Sequence, residues 1–148
     1  MENIRKMAEG DKKTVFDMMR EFYNSPALIT TPSDEVLERN ISDCVSDMPF
    51  VEGFVFEEDH KITGYAMIAK SYSTEFGGMC IWIEDLYLLP EYRHKGTGTR
   101  FFEFLENEYK GRAVVLRLEA EHENEKAVTA YRKNGFSELP YVEMVKKI

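Results

Sequence analysis

Ile83-Glu84-Asp85-Leu86-Tyr87-Leu88-Leu89-Pro90-Glu91-Tyr92-Arg93-His94-Lys95-Gly96-Thr97-Gly98-Thr99 is the stretch on which the reading of this chain turns. It begins as a largely apolar strand that Pro90 brings to a stop. A basic, glycine-containing turn follows. Phe101, Phe102, Leu105 and Tyr109 then recur at helical spacing, so a helix is predicted from near Thr97. The first N–H groups of such a helix have no carbonyl to accept them, and together with the helix dipole they favour an anion. Gly96 and Gly98 let the backbone approach a phosphate closely, and Arg93, His94 and Lys95 add positive charge. Two familiar phosphate motifs do not fit. A dinucleotide fingerprint needs a third glycine at position 101, which is Phe101. A P-loop needs Gly-Lys-Ser/Thr, and the order here is Lys95-Gly96.

Downstream, Gly111 ends the helix and Ala113 to Leu118 reads as a strand. Asn124 can cap a helix running through Asn134, with Ala127, Val128 and Tyr131 on one side and Gly135 as its C-cap glycine. Tyr141 to Val145 reads as a closing strand. Upstream, Gly77-Gly78 precedes a long β run from Met79 to Leu89. Simple alternation puts Trp82, Glu84, Leu86 and Leu88 on one face, and Ile81, Ile83, Asp85, Tyr87 and Leu89 on the other. Phe50–Phe56 and Lys61–Ser71 form a hairpin around the polar turn Glu57–His60. Residues 2–7 give a short first strand. A helix carrying Val15, Phe16, Met18, Met19, Phe22 and Tyr23 is capped by Asp11 and ended by Asn24-Ser25-Pro26. Thr30-Thr31-Pro32-Ser33 begins a second helix with Ser33 as N-cap. Val36, Leu37, Ile41, Cys44 and Val45 form its apolar face, and Pro49 closes it. This order predicts an α/β (α+β) protein, a mixed and mostly antiparallel central sheet flanked by helices, with residues 1–148 as one domain.

Composition narrows the function classes. With 43% hydrophobic and 13% aromatic residues the chain can pack a core. Its apolar runs fall far short of the roughly 20 residues of a membrane-spanning helix. Met1 to Lys6 lacks the apolar core of a secretory signal. Cys44 and Cys80 have no metal-ligand spacing, and two reduced thiols fit a cytoplasmic location. The 19 Lys+Arg against 27 Asp+Glu give a net charge of −8. That charge disfavours nucleic acid and anionic membranes, and is compatible with a cationic amine as well as with mere solubility. His60, His94 and His122 show no spacing with carboxylates that suggests a metal site.

Arg93-x-x-Gly96-x-Gly98, after an apolar strand with Pro90-x-Tyr92, resembles the pyrophosphate-binding signature of the GNAT superfamily of acetyl-CoA-dependent N-acetyltransferases. Asn124 to Phe136, with its Ala127, Tyr131 and Gly135-Phe136, resembles that family's last helix. The resemblance implies a GNAT-like acyl-CoA N-acyltransferase fold, acetyl-CoA as cosubstrate and no metal. Ile83 to Tyr87 is further similar to the spermidine/spermine N-acetyltransferases and their bacterial relatives, which implies a small amine acceptor.

The same resemblance assigns expected roles. Leu86, Tyr87 and Leu88 would bond the pantetheine arm through their backbone. Residues His94, Lys95, Gly96, Thr97, Gly98 and Thr99 would hold the pyrophosphate, with Arg93 serving the turn or the ligand, and Asn124 and Ala127 would contact the cofactor. A protonated amine, pKa about 10.4, needs a base. Glu84 is the first candidate and Asp85 the second. Tyr131 would protonate the leaving thiolate, and Glu84, Asp85 and Glu143 would face the amine. Tyr72, Glu75 and Phe76 could line the acceptor pocket without any motif to support them. Family members are often dimers, so a homodimer is expected. The alternatives are a protein or amino-acid N-acetyltransferase, and a non-catalytic acyl-CoA-binding regulatory module.

Overall fold

The computed structural model describes residues 2–24 and 31–148. The helix stop expected at Ser25-Pro26 and the start of the second capped segment at Thr30 lie outside these. Five strands, β1 (Glu2–Lys6), β2 (Val51–Glu58), β3 (Lys61–Ser73), β4 (Gly78–Leu88) and β5 (Ala113–Leu118), form one sheet in sequence order. Every pairing is antiparallel except β4 with β5, which is parallel. The helices are α1 (Lys12–Tyr23), α2 (Asp34–Val45), α3 (Thr97–Glu108) and α4 (Glu125–Lys133). The mixed, mostly antiparallel sheet with flanking helices is as expected.

Alternation along the strands feeds two cores, one per face. Val55, Tyr65, Met67 and Tyr87 pack with Val15, Met18 and Met19 of α1 and Leu37 and Ile41 of α2. Phe54, Phe56, Ile68, Ile81 and Ile83 pack with Phe101, Phe102 and Leu105 of α3. Strand β3 comes so close to β4 at Gly64 that a Cβ there would stand 2.3 Å from the Tyr87 carbonyl oxygen, so only glycine fits.

The alternation expected for β4 fails at one residue. Met67 pairs with Asp85 and Ile68 with Ile83, so Glu84 is an extra residue in the strand, a β-bulge. Ile81 and Ile83 therefore share the α3 face with Leu86 and Leu88, while Asp85 and Tyr87 face α1. The sequence gives no sign of the inserted residue, because the apolar pattern continues on both sides of it.

Three further expectations need correction. Asp11 does not cap α1 through its side chain. Its buried carboxylate accepts from the Ala8 N–H at 2.8 Å and from both ends of the Arg5 guanidinium, at 2.7 and 3.0 Å. The polar turn is shorter than four residues. Glu57 and Glu58 stay in β2, and Asp59 and His60 make the turn at φ 51° and 64°. Tyr141 to Val145 is not a strand, since no neighbouring strand bonds to its backbone. Ser33 does cap α2, accepting from the Val36 N–H at 3.3 Å, and Gly135 turns the chain after α4 at φ 88°.

Arg5 ties β1 to the turn before α1, and its hydrogen bonds hold the Asp11 carboxyl below the usual carboxylate range. A lowered folded-state pKa contributes stability that is present above the unfolded pKa, about 3.9, and lost as pH falls through the folded value. Asp11→Asn is expected to cost about 2 kcal/mol at neutral pH in urea melts. The gap to the native chain should close as pH falls below about 4.

Candidate active site

Strand β5 follows β4 only from Met79, opposite Ala113, to Ile83, opposite Leu118. Strand β3 stays paired with β4 as far as Leu88. Among the described residues, β4 therefore has a strand neighbour on one edge alone from Glu84 to Leu88. Its other edge offers backbone donors and acceptors to a ligand, as a missing strand would take them. The bulge marks the point of divergence, since an unpaired residue bends and twists its strand.

Beyond the open edge, the chain turns through Pro90–Tyr92 into α3. His94 and Gly96 take positive φ, 61° and 82°, the latter natural only to glycine. The first intrahelical bond runs from the Arg100 N–H to the Gly96 carbonyl at 3.1 Å. The Thr97, Gly98 and Thr99 N–H groups stand ahead of it with no helical acceptor. A Cβ at Gly98 would meet nothing within 4 Å, which leaves the backbone approachable. These donors fit a phosphate by chemistry and by shape. Thr97 itself is buried. Its hydroxyl donates to Glu2 at 2.6 Å, and Arg100 bonds the same carboxylate, which anchors the start of α3 to β1. Arg93 turns back: its Nε donates to the Leu88 carbonyl at 2.9 Å and its guanidinium lies over the Tyr87 ring. Lys95 lies over the Tyr92 ring. Of the three basic residues expected at the phosphate, Arg93 is thus committed to the turn.

The bulge sends neighbouring carboxyls to different places. Asp85 is buried, accepting from Tyr23 of α1 at 2.7 Å and from Tyr65 of β3 at 2.9 Å. Burial pushes its pKa up, and the two phenol bonds oppose that shift. Burial beside Asp85 in turn pushes both phenols well above their ordinary range. Glu84 keeps an exposed surface, yet enough protein surrounds its carboxyl to raise its pKa, and Asp85 and Glu143 raise it further. Glu119, just past β5, is raised by desolvation and then by Glu143 and Glu84. The structure thus brings Glu84, Glu119 and Glu143 into one electrostatic cluster, with Asp85 beneath it. Glu119, Tyr23 and Tyr65 were not singled out from the sequence. Only Glu119 left a local trace, as the first acid after a strand.

Tyr131 of α4 sets its ring edge-on against Phe102 and Phe136, with centroids 6.1 Å away in each case. Its hydroxyl has no hydrogen-bond partner among the described residues, and burial alone raises its pKa. Asn124 accepts from the Ala127 N–H at 3.3 Å, so its side chain is occupied in capping α4. A cleft of about 1110 Å³ runs between β5, α4 and the C-terminal residues. Tyr131, His122, Glu119, Glu143 and Phe76 line it, and no residue from Glu84 to Thr99 does, so it lies beside the open edge of β4 rather than on it. Tyr72 is exposed, and Glu75 accepts from the Tyr141 hydroxyl at 3.1 Å. Cys44 and Cys80 are both unpaired, and burial pushes the Cys44 thiol up to about 12.

Comparison with known proteins gives this geometry a context. The model of the acetyltransferase (GNAT) family matches residues 14–136. Thialysine N-epsilon-acetyltransferase of Bos taurus is 28% identical over 151 residues, covering 95% of this chain and 86% of the relative. The crystal structure of a possible acetyltransferase from Clostridium difficile 630 superposes with a TM-score of 0.85 at 21% identity, covering 100% of this chain and 98% of the other. AAC(6')-Iy, solved with the bisubstrate analogue CoA-S-monomethyl-acetylneamine, superposes with a TM-score of 0.81 at 16% identity, covering 100% and 99%.

Tyr65→Phe leaves Asp85 buried with one donor in place of two. It is expected to lower stability by about 1–2 kcal/mol at neutral pH, measured by urea unfolding. The deficit should shrink as pH falls and Asp85 takes up its proton, because a neutral carboxyl accepts a weaker bond than a carboxylate does.

Proposed function

The chain belongs to the GNAT acetyltransferase family, acetyl-CoA-dependent acyltransferases, and from that premise we propose that it acetylates the primary amine of a small cationic acceptor. The observation that carries this reading is the meeting of two features at the β4 bulge. The open edge from Glu84 to Leu88 suits an extended amide-bearing arm, and the cluster of Glu84, Glu119 and Glu143 suits a positive charge. The N–H groups of Thr97, Gly98 and Thr99 suit the pyrophosphate of acetyl-CoA. The relative named for thialysine, an amine substrate, agrees with the acceptor class. No helix among the described residues is long and apolar enough to cross a membrane. The cytoplasm and a homodimeric state complete the proposal.

In this mechanism Glu84 takes a proton from the ammonium, directly or through water, so that the nitrogen lone pair can attack the thioester carbonyl. The raised pKa of Glu84, from burial and from Asp85 and Glu143, makes it a stronger base than an ordinary carboxylate. The C–N bond forms as the C–S bond breaks, the Tyr131 hydroxyl supplies a proton to the departing sulfur, and the second proton shed by the acylated nitrogen passes through water and restores the tyrosine hydroxyl. Asp85 orients β4 through its two tyrosines and adds negative potential beneath the acceptor. Arg93 fixes the turn by holding the Leu88 carbonyl.

The direct test is thiol release from acetyl-CoA with diamines, polyamines, thialysine, amino acids and peptides. Turnover with the cationic small amines is expected. Binding of acetyl-CoA without transfer to any amine would instead favour an acyl-CoA-binding regulatory module. Glu84→Gln should lower kcat by roughly 10²-fold while leaving CoA affinity intact. Wild-type turnover in that variant would move the base to Asp85 or water.

Tyr131→Phe separates mechanism from packing. The ring contacts with Phe102 and Phe136 survive, and no hydrogen bond among the described residues is lost. Melting temperature should stay unchanged while kcat falls by about 10- to 10²-fold. The defect should narrow with a thioester whose thiol is more acidic. Normal kcat with saturating acceptor would end the assignment.

A further inference from the structure

Arg117 is the only charged residue of β5, and it is half-buried. In the parallel pairing it stands opposite Trp82 of β4. Its guanidinium lies over the indole, 4.5 Å from the ring centroid. Both side chains line the cleft between β5, α4 and the C-terminal residues. The neighbouring arginines are spent on acids, Arg112 on Glu108 and Arg132 on Glu138. Among the described residues Arg117 has no carboxylate partner of this kind and its side chain donates no hydrogen bond. A position over an aromatic ring occupies one face of a guanidinium and leaves its in-plane N–H groups able to donate. A half-buried cation with unused donors suits an anion, and the planar fork of an arginine matches a carboxylate.

The acids of the site begin one step further along the same two strands. Glu119 lies two residues beyond Arg117, and Glu84 two beyond Trp82. Arg117 lowers the pKa of the Glu119 carboxyl, while Glu143 and Glu84 raise it. The cleft is thus polarised, positive over Trp82 and negative where β4 and β5 part. Its other cations leave that division intact. Arg132 is held by Glu138, and Lys110 precedes β5, at the end away from Glu119.

Two residues of extended strand cover roughly 7 Å, so the two poles are about that far apart. An acceptor that meets both carries an anion and a cation with the same separation. Polyamines offer no anion. The α-nitrogen of an amino acid is only about 3 Å from its own carboxylate oxygens, too near to reach the second pole. An amine at the end of an extended four-carbon side chain is about 7 Å from the carboxyl carbon, which matches.

We propose that Arg117, seated on Trp82, takes the carboxylate of the acceptor, and that this acceptor is a free α-amino acid acetylated on a second amine at the end of its side chain. The inference rests on the amine-acetylation reading above and narrows its substrate class. Glu84 then meets the reacting ammonium, and the α-ammonium falls near Glu119, between the poles. The bonds that form and break are those of the transfer already described.

L-Lysine and cadaverine, the same chain without its carboxyl group, make the test. L-Lysinamide is the third acceptor, keeping the shape and losing the negative charge. The native protein is expected to show kcat/KM for lysine at least about 10-fold above the other two, with the acetyl group on the terminal nitrogen of the product. Arg117→Gln should abolish that preference by raising KM for lysine about 10- to 10²-fold, with acetyl-CoA affinity as the check on folding. Arg117→Lys, which keeps the charge and loses the fork, should restore part of it. Should Arg117→Gln lose acetyl-CoA binding, the contrast of lysine with lysinamide in the native protein decides alone. Cadaverine turned over as well as lysine by the native protein would overturn the inference and leave amine acetylation standing. Equal losses for lysine and cadaverine in Arg117→Gln, or acetyl found on the α-nitrogen, would do the same. Failure of all three acceptors while other amines are acetylated also sinks the inference alone, whereas failure of every amine sinks both readings.

Discussion

One inserted residue organises this molecule. Each edge of a strand can serve a single neighbour, and a bulge bends its strand so that one neighbour splays away while the other stays paired. Glu84 is that bulge in β4. Ahead of it, the strand is held on both sides and its apolar residues face α3. After it the faces exchange, β5 is gone, and Asp85 and Tyr87 belong to the core under α1 and α2. The free edge, the exposed carboxyl and the buried carboxyl are three results of the same irregularity.

Charge is distributed to match. Cations are spent on structure: Arg5 on Asp11 and Glu57, Lys6 and Lys70 on Glu52, Arg100 on Glu2. Three acids without such a partner among the described residues, Glu84, Glu119 and Glu143, gather where β4 and β5 part. Those three lie beside the open edge of β4. Asp85 is kept buried there at a desolvation cost that two phenols offset.

Features that depend on local spacing were legible in the sequence. The turn from Arg93 to Gly98, the Ser33 and Asn124 caps, the Gly135 stop and the hairpin around Asp59–His60 each follow from a few neighbouring residues. The fold class followed from their order, and the family from two motifs that are themselves local. The bulge was invisible because period-two reasoning assumes that every residue is paired. Tyr23 lies 62 residues from Asp85, and nothing near either one announces the bond. Asp11 looked like a cap because its position is right, but a guanidinium from β1 outcompeted the helix for its oxygens. The tail was read as a strand from its side chains alone, whereas a strand also needs an edge within reach.

The bond from Thr97 to Glu2 spans 95 residues, and the one from Arg100 spans 98. The turn that opens α3 is therefore finished by almost the most distant sequence in the chain, while every residue within it is a near neighbour of the others. During synthesis the first strand can pair once β2 has left the ribosome, whereas the Glu2 carboxylate must wait for α3. Proteolytic trimming that removed Glu2 would be felt at the mouth of α3 as well as in β1, where Glu2 pairs with Glu58, so integrity of the leading residues becomes a quality-control variable for any preparation in which cofactor affinity is compared.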